Sequence, residues 1–490
     1  MTRAPLAVLA VLALVSVVWP AAAAASEAQG LPEHARGTRG VVVVANAEGG
    51  TVSFVEARRF RVLREIDVVP DGRETTFADD PAHALFGQRL VEAAGGENLA
   101  QDVDLSPDGR TLYVSRGHRG DVAAFDIASG ALRWKLRIPG FRADHMTISP
   151  DGSRLYVSAL TENEVQVVDT GQRAVIGTFP AGQWPHDNHL SEDGARLYNG
   201  SIGNILAPEE LRPASPPPPY QLTVVEAATN ERLAAHTFDR GIRPFAITRD
   251  ETRMYTQLSE YHGVVEFGLR EGRILRSREL PIDDGVTEED YDFEAPHHGL
   301  AMSRDEGTLC LAGRASDYVA LVSTRTMAPT AIIEVDDGPG WAALGPGGRR
   351  CFVANTRADT LSAISLARRR EIARIRLGDG PKQIEGAWLR ASVVCAGRRV
   401  AGCTPRLRLR RRCRGGALRV RLGGETEAVR RVGFRIGRRL IGRDRKPPFA
   451  RTIGPRALAR FEGRRLRAVA SVSRGPGLRL VRTATLRRCG

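Results

Sequence analysis

A turn with a strand on either side recurs along this chain, and its spacing limits the fold more than any other feature. "LSPDGRTLYVS" begins at Leu105, "ISPDGSRLYVS" at Ile148 and "LSEDGARLYNGS" at Leu190. Weaker copies follow: "ITRDETRMYTQ" from Ile247, "MSRDEGTLCLAG" from Met302 and "LGPGGRRCFVAN" from Leu344. The steps are 43, 42, 57, 55 and 42 residues, so two units carry insertions. Such a period marks a supersecondary unit that buries its apolar face only against its neighbours. In each unit a short apolar strand meets a Pro-Asp-Gly type turn, where Pro fixes φ and Gly accepts positive φ. A second strand follows ("TLYVS"), then a Gly/Asn loop, an alternating third strand ("VQVVDT", Val165 to Thr170) and a fourth ("AVIGTF"). Four antiparallel strands per unit predict a propeller blade.

The two ends of the repeat region complete each other. "VVVVANAEGGTVSFVEARRFRVLREIDVV" supplies three strands without the first, and "KQIEGAWL", starting at Lys382, supplies a first strand alone. Joined, they make a seventh blade and close the ring, leaving few free strand edges. The expected fold is all-β: a seven-bladed β-propeller over residues 41–390, then a small β-sandwich over 391–490.

"SPDGRTLYVS" and "SPDGSRLYVS" closely resemble the repeats of the YVTN-type (YncE-like) β-propeller family. The resemblance covers roughly residues 41–390 and implies the fold more specifically than any activity. Members include surface-layer and envelope proteins, and lactonase-like and streptogramin-lyase-like propellers look similar. Blades five to seven depart from the pattern, with Asp-Glu or Gly-Gly replacing Asp-Gly and Cys310 replacing the repeat tyrosine.

Residues 1–25 have a basic Arg3, a short apolar run and an alanine-rich end, the pattern of a secretory signal peptide with cleavage near Ala25. The run is short for a membrane span, the competing reading. Residues 26–40 read as a linker, and no later segment is apolar enough to cross a bilayer. Export makes disulfides the natural reading of six cysteines. Cys413 and Cys489 would staple the C-terminal domain, and Cys395 and Cys403 would close a hairpin. Cys310 and Cys351 sit on strand positions of adjacent blades; they either bond across the interface or remain two buried thiols.

The net charge of +14 divides unevenly. Residues 391–490 carry 29 basic and 4 acidic side chains, a net +25, leaving −11 for the rest. Only Lys135, Lys382 and Lys446 are lysines, so the arginine bias also fits codon usage. In "RLRLR" and "LRVRL" apolar residues alternate with arginine, a half-buried strand pattern. "VGFRIGRRLIGRDRKPPFARTI" resembles the central hairpin of bacterial Ig-like domains. A domain this basic favours polyanions such as anionic cell-envelope polymers, through salt-sensitive contacts. Without aromatic residues interleaved for base stacking, specific nucleic-acid recognition is not expected.

Propeller geometry places the polar residues. If each first strand lies innermost and runs from a "top" face, the long insertions at 70–100, 204–220 and 280–297 all lie on top. Long loops on one face of a rigid scaffold mark the working face. His83, His118 and His262 fall in top loops; His145, His186, His189, His297 and His298 fall at or just before the top ends of inner strands. Asp102, Asp144, Asp187 and Glu294 share those positions. The candidate site is therefore the channel mouth, with His145, His186, His189 and His298 as metal ligands and Asp102, Asp144, Asp187, Glu294 and His297 as ligand-binding groups. Imidazoles and carboxylates together suit one divalent zinc or copper ion. Neighbours such as Asp144 and His145 cannot both point inward, so Asp144 or Asp187 would orient an imidazole. The competing reading is a wet, functionless channel mouth.

Two functions follow. One is an exported binding or scaffold protein that takes a ligand or protein partner at this mouth, its basic domain held at the cell envelope. The alternative is a lactonase-like hydrolase or lyase, with a metal as Lewis acid and a histidine as base. The absence of a Gly-x-Ser-x-Gly elbow, a phosphate loop and an HExxH motif favours the first.

Overall fold

The structure, a computed structural model, describes residues 37–74, 81–93, 96–207, 217–396, 403, 407–424, 426, 429–472, 479–486 and 489. The leader expected over 1–25 and most of the expected linker lie outside the described residues, as does part of the 204–220 insertion.

The described chain is all-β apart from short helical segments, and its repeat region forms four-stranded antiparallel sheets of propeller type. Seven such sheets come from residues 38–390. In one of them Pro381–Arg390 pairs with Thr38–Asn46, Val42 opposite Gly386, so the two ends of the repeat region share a sheet. The seven inner strands are Asp102–Leu105, Ala143–Ile148, Pro185–Leu190, Ile242–Ile247, Leu300–Met302, Pro339–Leu344 and Pro381–Arg390. Each lies beside the next, and the last returns to the first.

Alternation within the strands explains the packing. Both faces of a sheet meet neighbouring sheets, so the second and third strands are buried along most of their length, as in Thr111–Arg116 and Asp121–Asp126. Outer strands such as Leu132–Arg137 alternate partly buried with exposed residues. Apolar clusters form between sheets: Tyr113, Val122 and Ala124 pack on Met146, Leu155 and Val157 of the following sheet.

The repeat turns close the inner strands at the bottom. Asp151 Oδ1 accepts from the Ser149 hydroxyl (2.6 Å) and the Ser153 amide (3.0 Å). Asp108, Asp193, Asp250 and Asp305 accept from Ser or Thr in the same way. At the top, the 70–100 insertion carries a feature the sequence reading did not anticipate, a helix from Pro81 to Ala93.

Three disulfides join Cys310–Cys351, Cys395–Cys403 and Cys413–Cys489. They indicate an oxidising, extracellular-type environment. Among the described residues no helix is long and apolar enough to cross a membrane. The first bond links two adjacent sheets through their second strands, Thr308–Gly313 and Arg350–Asn355. The hairpin that Cys395 and Cys403 were expected to close runs through 397–402, outside the described residues. Cys395 follows a helical turn, Ala391–Val394, and both cysteines bury with Val41, Leu63 and Ile66 of the ring. Apolar Val393 and Val394 draw the segment there.

The basic C-terminal region forms two sheets, one of three strands and one of four. Their apolar faces meet: Leu407 and Leu422 pack on Val432, Phe434 and Ala468. Arginine takes the outward positions, as in Leu407–Arg414.

Candidate functional site

Counting four residues back from the start of each repeat copy gives Gln101, Asp144, His186, Arg243, His298 and Gly340. Lys382 takes the corresponding place on the closing inner strand, just after Pro381 as His186 follows Pro185. These positions converge at the top of the ring. Asp144, His186, Arg243, His298 and Lys382 line one small cavity with Arg142, Arg314, Leu160, Ile202 and Phe293. The same positional count, applied to all residue types rather than to His and acids, would have found Arg243 and Lys382; Arg142 and Arg314 lie off that position.

Inner-strand side chains alternate between the preceding and following sheets. His145 turns back: its Nδ1 lies 2.9 Å from Asp102 Oδ2, which also accepts from the Met146 amide at 2.9 Å. Asp144 turns forward, its Oδ2 facing His186 Nδ1 at 2.7 Å. Asp144 Oδ1 accepts from Gln101 Nε2 (2.6 Å) and Arg142 Nε (3.3 Å). His298 donates its Nδ1–H to the Gly340 carbonyl at 2.8 Å.

Those bonds set the tautomers. With Nδ1–H of His186 on a carboxylate and Nδ1–H of His298 on a carbonyl, both Nε2 atoms carry lone pairs. The two Nε2 atoms face each other at 3.3 Å. Two lone pairs at that separation repel unless something electrophilic lies between them. Tetrahedral zinc, with bonds of about 2.0–2.1 Å, places its nitrogen ligands about 3.3–3.4 Å apart. The geometry fits a shared metal ion.

His145 is the third ring. Its centroid lies 4.6 Å from that of His186, and it stacks at 4.7 Å on Trp341, which also meets His298 at 5.5 Å. Its Nε2 lies 2.9 Å from Gln101 Nε2. One ligand atom each from Asp144, His145 and His186 lies within 4.8 Å of the others, a group able to hold a metal. Asp144 already serves Gln101, Arg142 and His186, so toward a metal it would act by orienting an imidazole.

The electrostatics keep the nitrogens unprotonated. Burial pushes His145 and His186 down to about 4 although Asp144 pulls the other way. Burial, with His186, Arg314 and Arg243, holds His298 well below the usual imidazole range. For Asp144 burial favours the acid, but Arg142 and the imidazoles outweigh it and hold it ionised, far below the usual carboxylate range. Asp102 goes the other way, raised by burial and by Asp187 and Asp144. Lys382 is pulled down to about 7 by burial and by Arg142 and Arg314.

Four residues expected at the mouth do not meet the imidazole pair. His189 sits one step down the inner strand, its Nε2 3.1 Å from Asp187 Oδ2 and its ring on Phe245. Asp187 shares that side of the strand, being two residues from His189 and one from His186. Burial opposes protonation of His189, but Asp187 raises its proton affinity overall. His297 points away from His298, with Nε2 3.1 Å from the Tyr318 hydroxyl and its ring against His262. Glu294 lies at the rim, Oε2 4.0 Å from Arg243, and serves that guanidinium rather than the imidazoles.

Sequence comparison finds no matching family model and no matching curated protein. Among solved structures the chain is similar to hydrazine synthase from Kuenenia stuttgartiensis, with a TM-score of 0.47 and 17% identity. That match covers 60% of this chain and 96% of the other. A likeness of this size speaks to neither ligand nor activity.

Proposed function

We propose that this chain is an exported, seven-bladed YVTN-type propeller that binds a ligand at its channel mouth through a divalent metal, zinc or copper. His186 and His298 hold the metal through Nε2, His145 stands beside them, and Asp144 and the Gly340 carbonyl fix the ring orientations. The observation that carries this reading is the pair of facing Nε2 lone pairs at 3.3 Å, each ring anchored through its other nitrogen. Imidazole donors suit both metals. The role is binding rather than turnover. The C-terminal two-sheet domain, read as Ig-like, associates with anionic envelope polymer through its outward arginines.

Metal analysis of untagged protein tests the site. About one metal per chain is expected in the wild type, with loss in both His186→Ala and His298→Ala. A metal-free wild type whose stability is unchanged by zinc would refute it. Release from the envelope by high salt, and loss of retention on deleting residues 407–490, tests the basic domain.

A further inference from the structure

We infer that the channel-mouth cavity takes a compact oxyanion, a carboxylate or phosphate group, as its ligand. The inference names the ligand class for the binding role proposed above. Its own ground is the set of cations rather than the imidazole pair.

Arg142, just before Ala143–Ile148, Arg243, Arg314, just after Thr308–Gly313, and Lys382 come from four different units and edge one cavity. The three guanidiniums are tied in place: Arg142 to Asp144 and Gln101, Arg314 to Asp292, and Arg243 to the Ser259 hydroxyl and the Phe293 carbonyl. Asp292 is itself shared, its Oδ2 meeting Arg314 at 2.7 Å and Arg357 at 3.1 Å. Lys382 differs. It is only 9% exposed, lines the cavity, and makes no hydrogen bond or ion pair among the described residues. Its contact is the Phe293 ring, 5.8 Å from Nζ, which Arg142 also meets at 5.4 Å. A buried ammonium without an acceptor is costly, and an anion removes that cost.

The cavity as it stands is smaller than the ligand. Its volume of about 20 Å³ has room for one water-sized group. Phe293 roofs it from the 280–297 insertion, and Phe293 and Glu294 both adopt left-handed backbone, with φ of 53° and 58°. Any carboxylate or phosphate exceeds that room, so its binding requires Phe293 to move aside. The oxyanion also resolves a conflict in the metal site. Asp144, Asp292 and Glu294 offset the three arginines, so Lys382 is the cation beside the metal left for an anion to compensate.

Calorimetric titration of the full chain with sodium phosphate, sodium acetate and sodium chloride tests this, on chelator-stripped and zinc-loaded protein. One saturable site per chain is expected for phosphate or acetate, and which of the two binds identifies the group. Lys382→Met should weaken binding about tenfold or more, and Lys382→Arg should restore most of it. Thermal melts show that each variant is folded. Binding by stripped His298→Ala protein would support the inference even if the metal reading fails. Zinc binding with no oxyanion site would overturn this inference alone. So would an affinity unchanged in folded Lys382→Met, or no saturable oxyanion binding to either form of the wild type.

Discussion

Aspartates stand at both ends of the inner strands, and the two sets behave differently. At the bottom, Asp108, Asp151, Asp193, Asp250 and Asp305 each bond a Ser or Thr two residues before them. At the top, Asp102 and Asp144 reach imidazoles 43 and 42 residues away in the next unit. The bottom bond is local and can be copied from unit to unit unchanged. The top bond joins units; it recurs at two junctions, Asp102–His145 and Asp144–His186. The fold is written where the repeat agrees with itself, and the site where it does not.

Acid should separate the two ends most strongly. Burial keeps His145 and His186 near a pKa of about 4, below the free imidazole value of 6.5. Between those values the unfolded chain binds protons that the folded chain refuses. Stability is therefore complete above pH 6.5 and drains as pH falls towards 4, by on the order of 3 kcal/mol per ring. Urea titrations at pH 7 and pH 4.5 should show this loss, and a double His145→Gln/His186→Gln variant should flatten it. A slope unchanged in that variant would place the titrating groups elsewhere.

Removing one aspartate from each end gives the direct contrast. Asp144→Ala strands buried Arg142 and His186 and should cost about 3–5 kcal/mol. Replacing both Cys310 and Cys351 with Ala should cost about 2–4 kcal/mol, since the bond joins two sheets. Asp151→Ala, which loses only local bonds at the surface, should cost about 1 kcal/mol. Equal costs for Asp144→Ala and Asp151→Ala in urea denaturation would erase the distinction between the ends.

The sequence showed most of the fold and about half of the site, for physical reasons. A turn such as "SPDG" acts within a few residues, so its spacing alone exposes the sheets, and "KQIEGAWL" announced the shared sheet by lacking partners. His145, His186 and His298 were found because imidazoles at inner-strand ends are conspicuous. Which way each side chain turns depends on bulges the sequence does not display. The pairing shifts between Ala143 and Met146 and between Pro185 and Asp187. Hence His189 falls among rings it does not meet, while His297 precedes its inner strand, where no pairing fixes its direction. Arg142, Arg243 and Arg314 went unnoticed because 71 basic residues hide any three arginines. Lys382, one of three lysines, was the exception that residue choice alone could have flagged.

The central claim is that the His186 and His298 nitrogens share a metal. A crystal of the zinc-loaded protein, measured on both sides of the zinc absorption edge, tests it most directly. The account predicts one anomalous peak about 2.0–2.1 Å from both Nε2 atoms. A zinc-free channel mouth, or zinc held only elsewhere on the chain, would contradict it.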